Sequence, residues 1–135
     1  MPRLGESMKK AEVERLEKIM GQFEGLHREM SSLAKKSLND SLNEFKLKFV
    51  NASLAEANTL LGKKYKPLKD FEHFDIDDLP TNSDVTFVLT AYLEELERMR
   101  ADNIELHNKQ VWRYKLSDSH DIIKTGAPKK ISGRK

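Results

Sequence analysis

Apolar residues recur at three- and four-residue steps over residues 81–107. Val85, Val88, Leu89, Tyr92, Leu93, Leu96 and Met99 fall on one stripe, and Glu94, Glu95, Glu97, Arg98 and Arg100 lie mostly off it. The spacing predicts one long amphipathic helix. Thr81 and Asp84 have the form of a capping box, with the hydroxyl accepting from the amide three residues on and the carboxylate reaching back. Asp84 also places negative charge at the positive end of the helix dipole. Pro80 sits just before the start, where it breaks no hydrogen bond.

A second periodic stretch begins after Ser7, the expected cap of a first helix running to about Lys36. Val13, Leu16, Met20, Phe23, Met30 and Leu33 repeat near heptad spacing, with Ile19 and Leu26 widening the stripe. Gly21 and Gly25 inside it each cost about 1 kcal/mol relative to alanine, which a close helix approach would explain. Ser37, Asn39, Asp40 and Ser41 predict a break. Ser41 with Glu44 reads as a second capping box. The second helix carries Leu42, Phe45, Phe49, Ala52, Ala57 and Leu60, with Leu61 beside them, and Gly62 ends it, followed by Lys63, Lys64 and Lys66. Helices one and two then form a hairpin; a single kinked helix over residues 7–61 is the alternative.

Residues 63–80 fit no helix period. Tyr65, Leu68, Phe71, Phe74, Ile76 and Leu79 predict an aromatic strap across the bundle, with room for one short helical turn. Val111, Trp112, Arg113, Tyr114, Lys115 and Leu116 alternate as a strand does. No second convincing run offers it a sheet, so a continued helix, an extended arm or addition to a partner's sheet edge are the readings open to it. The expected fold is therefore all-α: three principal helices, the strap, and a flexible basic tail. Residues 1–6 are expected to be disordered, 7–116 to form the helical domain and 117–135 the tail.

At 135 residues, 38% hydrophobic and 34% charged, the chain is charge-rich for one globular domain, and its core is expected to be thin. The absence of cysteine removes disulfides, thiol catalysis and zinc-thiolate sites. The first residues lack the apolar run of a signal peptide, and no run reaches the roughly 18 residues of a membrane span. A soluble, cytoplasmic protein is expected. Five of the 24 basic residues (Lys124, Lys129, Lys130, Arg134 and Lys135) follow Asp121, leaving 19 against 22 acidic ones, so the positive character belongs to the tail.

Asp70, Glu72, Asp75, Asp77 and Asp78 cluster around His73, as hard cations prefer. An EF-hand register begun at Asp75 fails, because Pro80 takes the glycine position and Thr86 the glutamate position. A solvated acidic loop is expected, with no metal and no cofactor. Ser119, His120 and Asp121 are a triad's residue types as mere neighbours, which gives no triad geometry. Arg100 and His107, two helical turns apart on the last helix of an all-α domain, resemble the Arg-x6-His motif of the HEPN ribonucleases over eight residues. That resemblance implies RNA cleavage, with the arginine on a phosphate and the histidine moving a proton.

The aromatic and basic mixture of Lys109, Trp112, Arg113, Tyr114 and Lys115, continued by Lys124, Lys129, Lys130, Arg134 and Lys135, suits nucleic-acid contact by stacking and phosphate neutralisation. The leading expectation is different. Stripes along rods of about 40 Å exceed what so small a core covers, which predicts a non-catalytic helical subunit or adaptor that docks on a protein partner or self-associates. Leu26, Met30, Leu33, Trp112 and Tyr114 are the expected contact residues, with no membrane contact.

Overall fold

A computed structural model describes residues 7–129 as α1 (Lys10–Lys36), α2 (Glu44–Leu61), a short 3-10 turn (Ile76–Asp78), α3 (Asn82–Asp102) and three strands, β1 (Ile104–His107), β2 (Val111–Tyr114) and β3 (Lys124–Thr125). Helix accounts for 56% of the described residues, and the strands form an antiparallel sheet in the order β1-β2-β3, so the fold is mostly α rather than all-α. Among the described residues no helix is long and apolar enough to cross a membrane.

The helix ends show which caps are local. At α3 the capping box forms in both directions: Asp84 N donates to Thr81 Oγ1 and Thr81 N to Asp84 Oδ2, each at 3.0 Å. At α1 the expected serine cap is replaced. Lys9 N donates to the Glu12 carboxylate, and Lys10 N donates at 2.9 Å to Asp118, 108 residues away. Met8 pairs with Leu116 in a parallel bridge just outside, so the incoming chain is held by the C-terminal segment. At α2 the cap is Asn43, whose Oδ1 accepts from Lys46 N at 2.8 Å. Ser41, expected to be the cap, pairs with Thr81 instead. Leu42 N donates to Pro80 O and Asn82 N to Asp40 O, which pins the α1–α2 connection to the start of α3. These contacts fix the hairpin and leave no place for a continuous helix over 7–61.

The α1 and α3 stripes face each other. Val13, Leu16, Ile19, Met20, Phe23 and Met30 meet Val85, Val88, Leu89, Tyr92, Leu96 and Met99, with the Phe23 and Tyr92 rings stacked at 5.6 Å. Each fully buried side chain of this kind contributes about 1.5–3 kcal/mol. The Tyr92 hydroxyl donates to Asn58 Oδ1 at 2.6 Å, which relieves the only polar atom of a ring buried at the centre of the core. Helix α2 closes one side with Leu47, Val50, Leu54, Ala57 and Leu61. Gly21 and Gly25 have nothing within 4 Å of where a Cβ would stand, so they mark no close helix approach.

The strap is held by two asparagines of α2. Asn51 exchanges two hydrogen bonds of 2.9 Å with the backbone of Phe74, and Asn58 Nδ2 donates to Glu72 O at 2.8 Å. Tyr65 is buried, with its hydroxyl 2.7 Å from Asp102, while Leu68, Phe71 and Phe74 are half-buried. Ile76 and Leu79 lie exposed, contrary to expectation. Ile76 opens the 3-10 turn and Leu79 caps its end at a left-handed φ of 50°, and this turn lies on the outside of the bundle.

The alternating run at 111–116 does have a sheet. Helix α3 stops at Asp102, and Asn103 closes it by donating from Nδ2 to Met99 O at 2.7 Å. The chain then reverses through Asn108 and Lys109, both at positive φ, with Gln110 N donating to His107 O. Two successive left-handed residues give the turn hand that matches strand twist. The register pairs Ile104 with Tyr114 and Leu106 with Trp112. Residues 117–129, expected to be a free tail, return to the bundle: Tyr114 N donates to Ile123 O, and β3 pairs with β2. Lys130, Arg134 and Lys135 lie outside the described residues.

Two outcomes follow from this packing. Gly21→Ala and Gly25→Ala are each expected to raise stability by up to about 1 kcal/mol, since alanine gains helix propensity without meeting a neighbour; chemical denaturation measures it. Burial raises the pKa of Tyr114, and its hydrogen bond to Glu17 raises it further. Burial likewise raises Tyr92, with the Asn58 bond opposing. A phenol whose folded pKa is raised contributes stability that is complete below its unfolded value, near 10, and is lost as pH rises above it. Unfolding free energy should therefore fall above about pH 10, and Tyr114→Phe should flatten that fall.

Candidate interaction surface

Helix α2 is apolar on two sides. At roughly 100° per residue, Leu47, Val50, Leu54, Ala57 and Leu61 share the side facing α1 and α3. Phe45, Phe49 and Ala52 form a second stripe on the opposite side and are exposed, the two phenylalanines at 69% and 56%. Of the stripe that the spacing predicts for α2, the structure buries Leu42, Ala57 and Leu61, half-buries Leu60 and exposes Phe45, Phe49 and Ala52. The two rings meet edge to face at 5.0 Å. They form one wall of a trough of about 240 Å³ between α1 and α2, with Leu26, Met30 and Val50 along its floor and other wall. Glu29 and Lys46 bridge its rim at 3.2 Å.

The residues expected to make contact divide. Leu26 and Met30 line this trough, although Met30 is itself a core residue and Leu26 half-buried. Leu33 is half-buried against the core at the far end of α1. Trp112 is half-buried, and Tyr114, 2% exposed, donates its hydroxyl to Glu17 at 2.5 Å. Tyr114 thus offers no ring face for stacking on a base. Of the basic residues, Arg113 is held by Glu105 at 2.9 Å, with Lys124 opposite it in the β2–β3 register. Lys129 stands 3.6 Å from Glu24, and Lys109 occupies the hairpin tip.

Arg100 and His107 do not share a helix face, because the helix ends between them and His107 belongs to β1. Arg100 is 4% exposed and bidentate to Glu97, 5% exposed, at 2.8 and 2.9 Å. Its remaining donors go to Thr125 Oγ1, Gly126 O and Ala127 O, and Lys129 N donates to Glu97. Burial works against the Arg100 charge, but the hydrogen bonds and charge of Glu97 outweigh it and raise its pKa. The pair therefore clamps the returning chain. Nothing in the sequence distinguished this role from that of a phosphate-binding arginine, since both need a forked donor.

The acidic residues of the strap are exposed, and among the described residues no group of His, Asp and Glu is placed to hold a metal ion. Ser119, His120 and Asp121 form no relay: the Ser119 hydroxyl accepts from Asp121 N, and the Asp121 carboxylate pairs with Lys10 at 2.7 Å, which lowers its pKa. Arg100→Met is expected to cost about 3–5 kcal/mol, because Glu97 is left buried and uncompensated. It should also raise amide exchange over residues 124–129, read by hydrogen–deuterium exchange. Comparison of the chain with family models, with curated proteins and with solved structures finds no match.

Proposed function

We propose that the chain is a non-catalytic helical docking subunit, which seats a helix of another polypeptide against the outer face of α2 and the trough beside it. The observation that carries this reading is the exposure of Phe45 and Phe49, two adjoining aromatic rings on a helix that already has a complete buried stripe. Large aromatic side chains in an apolar recess are the anchors on which protein interfaces concentrate their binding energy. A trough running between two helices also matches the groove into which an amphipathic helix lays its apolar face. The rim ion pair of Glu29 and Lys46 supplies the polar border such a seat has.

A small diazirine-bearing aliphatic amino acid at Ala52 of the full chain, in its native host, tests this without filling the face with a bulky ring. A protein adduct is expected at position 52 and not at a control position, Lys109 on the hairpin tip. The adduct should be lost in a Phe45→Ser, Phe49→Ser variant, whose stability stays within about 1 kcal/mol of the parent because both side chains are exposed. Equal adducts at both positions, or none at position 52, would overturn the reading.

A further inference from the structure

The outer face of α2 is complementary to itself. Lys48, Ala52 and Glu56 lie four residues apart and form one ridge across that face, with alanine at its centre, a cation on one side and an anion on the other. All three are exposed. Neither Lys48 nor Glu56 has an ion-pair partner among the described residues. Phe45 and Phe49 form the neighbouring ridge, so the groove between the two ridges has an apolar wall. Ala55 and Thr59 continue the outer face toward the C-terminal end and are small and exposed.

We propose that the occupant of this face is a second copy of the chain, with two α2 helices crossing antiparallel at Ala52 about a two-fold axis. When helices pack through their four-residue ridges, those ridges lie side by side at a crossing of about −50°. In the antiparallel arrangement Lys48 of each copy then stands beside Glu56 of the other, twice by symmetry. A parallel arrangement sets lysine beside lysine and glutamate beside glutamate. Ala52 at the crossing point lets the backbones approach. Phe45 and Phe49 of one copy reach over the small end of its partner, around Ala55 and Thr59, so bulk meets space on both sides. The contact uses one helix per copy, at the small end of specific interfaces, which predicts a dimer in the micromolar range. This assignment rests on the outer face of α2 being a docking surface and names its occupant.

The test is the mass of the full chain in solution. Sedimentation from about 1 µM to about 1 mM should show a shift from 15.6 kDa to twice that mass. Lys48→Glu and Glu56→Lys should each weaken the dimer about tenfold, since two symmetry-related pairs turn from attraction to repulsion. Mixed together, the two variants should form a heterodimer at least as tight as the parent dimer, because both contacts are again between opposite charges. Circular dichroism confirms that the exposed substitutions leave the fold intact. A parent that stays at 15.6 kDa throughout, or variants that dimerise as the parent does, would refute the two-fold assignment. The photo-reactive residue at Ala52 separates this failure from that of the broader reading. Adducts to the chain itself support the dimer; adducts to a different polypeptide alone sink it and leave α2 a docking face; no adduct removes both.

Discussion

Everything in this molecule is arranged around the seam between α1 and α3. The two longest apolar stripes spend themselves on each other, with the Phe23 and Tyr92 rings stacked at its middle. Once two helices of 27 and 21 residues are paired in this way, α2 has only one side from which to approach. It covers the seam with Leu47, Val50, Leu54, Ala57 and Leu61, and no element of the described chain lies over its back. The exposed aromatic face is thus a consequence of the bundle's geometry. Three helices around one seam shield the inner half of the third and leave the outer half to solvent.

The second organising feature is polar. A buried Arg–Glu pair pays a desolvation cost that its mutual attraction offsets only with near-complete hydrogen bonding. Arg100 and Glu97 reach that state by recruiting the backbone of residues 126, 127 and 129 and the Thr125 hydroxyl. The same contacts that satisfy the pair hold β3 in place. At the other end of the sheet, Asp118 receives the first amide of α1 and Asp121 pairs with Lys10. The C-terminal segment therefore serves as both cap and strap for the bundle, and its composition (Ser, Asp, Lys, Gly) reflects hydrogen-bonding work as much as solvation.

Phe45 and Phe49 show why spacing alone does not separate surface from core on α2. Residues 42, 45, 49 and 52 have helical spacing, and so do 47, 50, 54, 57 and 61. A period of 3.6 residues allows both series, and periodicity alone does not say which one meets the neighbouring helix. The discriminating signal was present in the second series, which is longer and reaches the C-terminal end of the helix, whereas the first series gives way to Glu56 and Thr59. On α1 and α3 one apolar series dominates, and most of its members are buried where the spacing puts them; Leu26, Leu33 and Leu93 are only half-buried, and the buried Asn82, Glu97 and Arg100 of α3 lie off that pattern.

What the amino-acid sequence determined by itself were the local features whose partners sit within one or two helical turns. The α1 and α3 stripes, the capping box of Thr81 and Asp84, the break near Ser37 and the strap after Gly62 all stand where the spacing puts them. Features whose partner is remote in the chain had to await the packing of the helices. Asp118 caps α1 across 108 residues, Asn51 and Asn58 fasten the strap, and Arg100 draws the tail home. The sheet belongs with these, because nothing in the sequence breaks the helical run before Asn108, and Ile104–His107 become a strand only when Val111–Tyr114 come to lie beside them. A residue's near neighbours are written in the sequence, while distant ones are chosen by which buried polar groups and apolar faces remain unsatisfied once the helices have met.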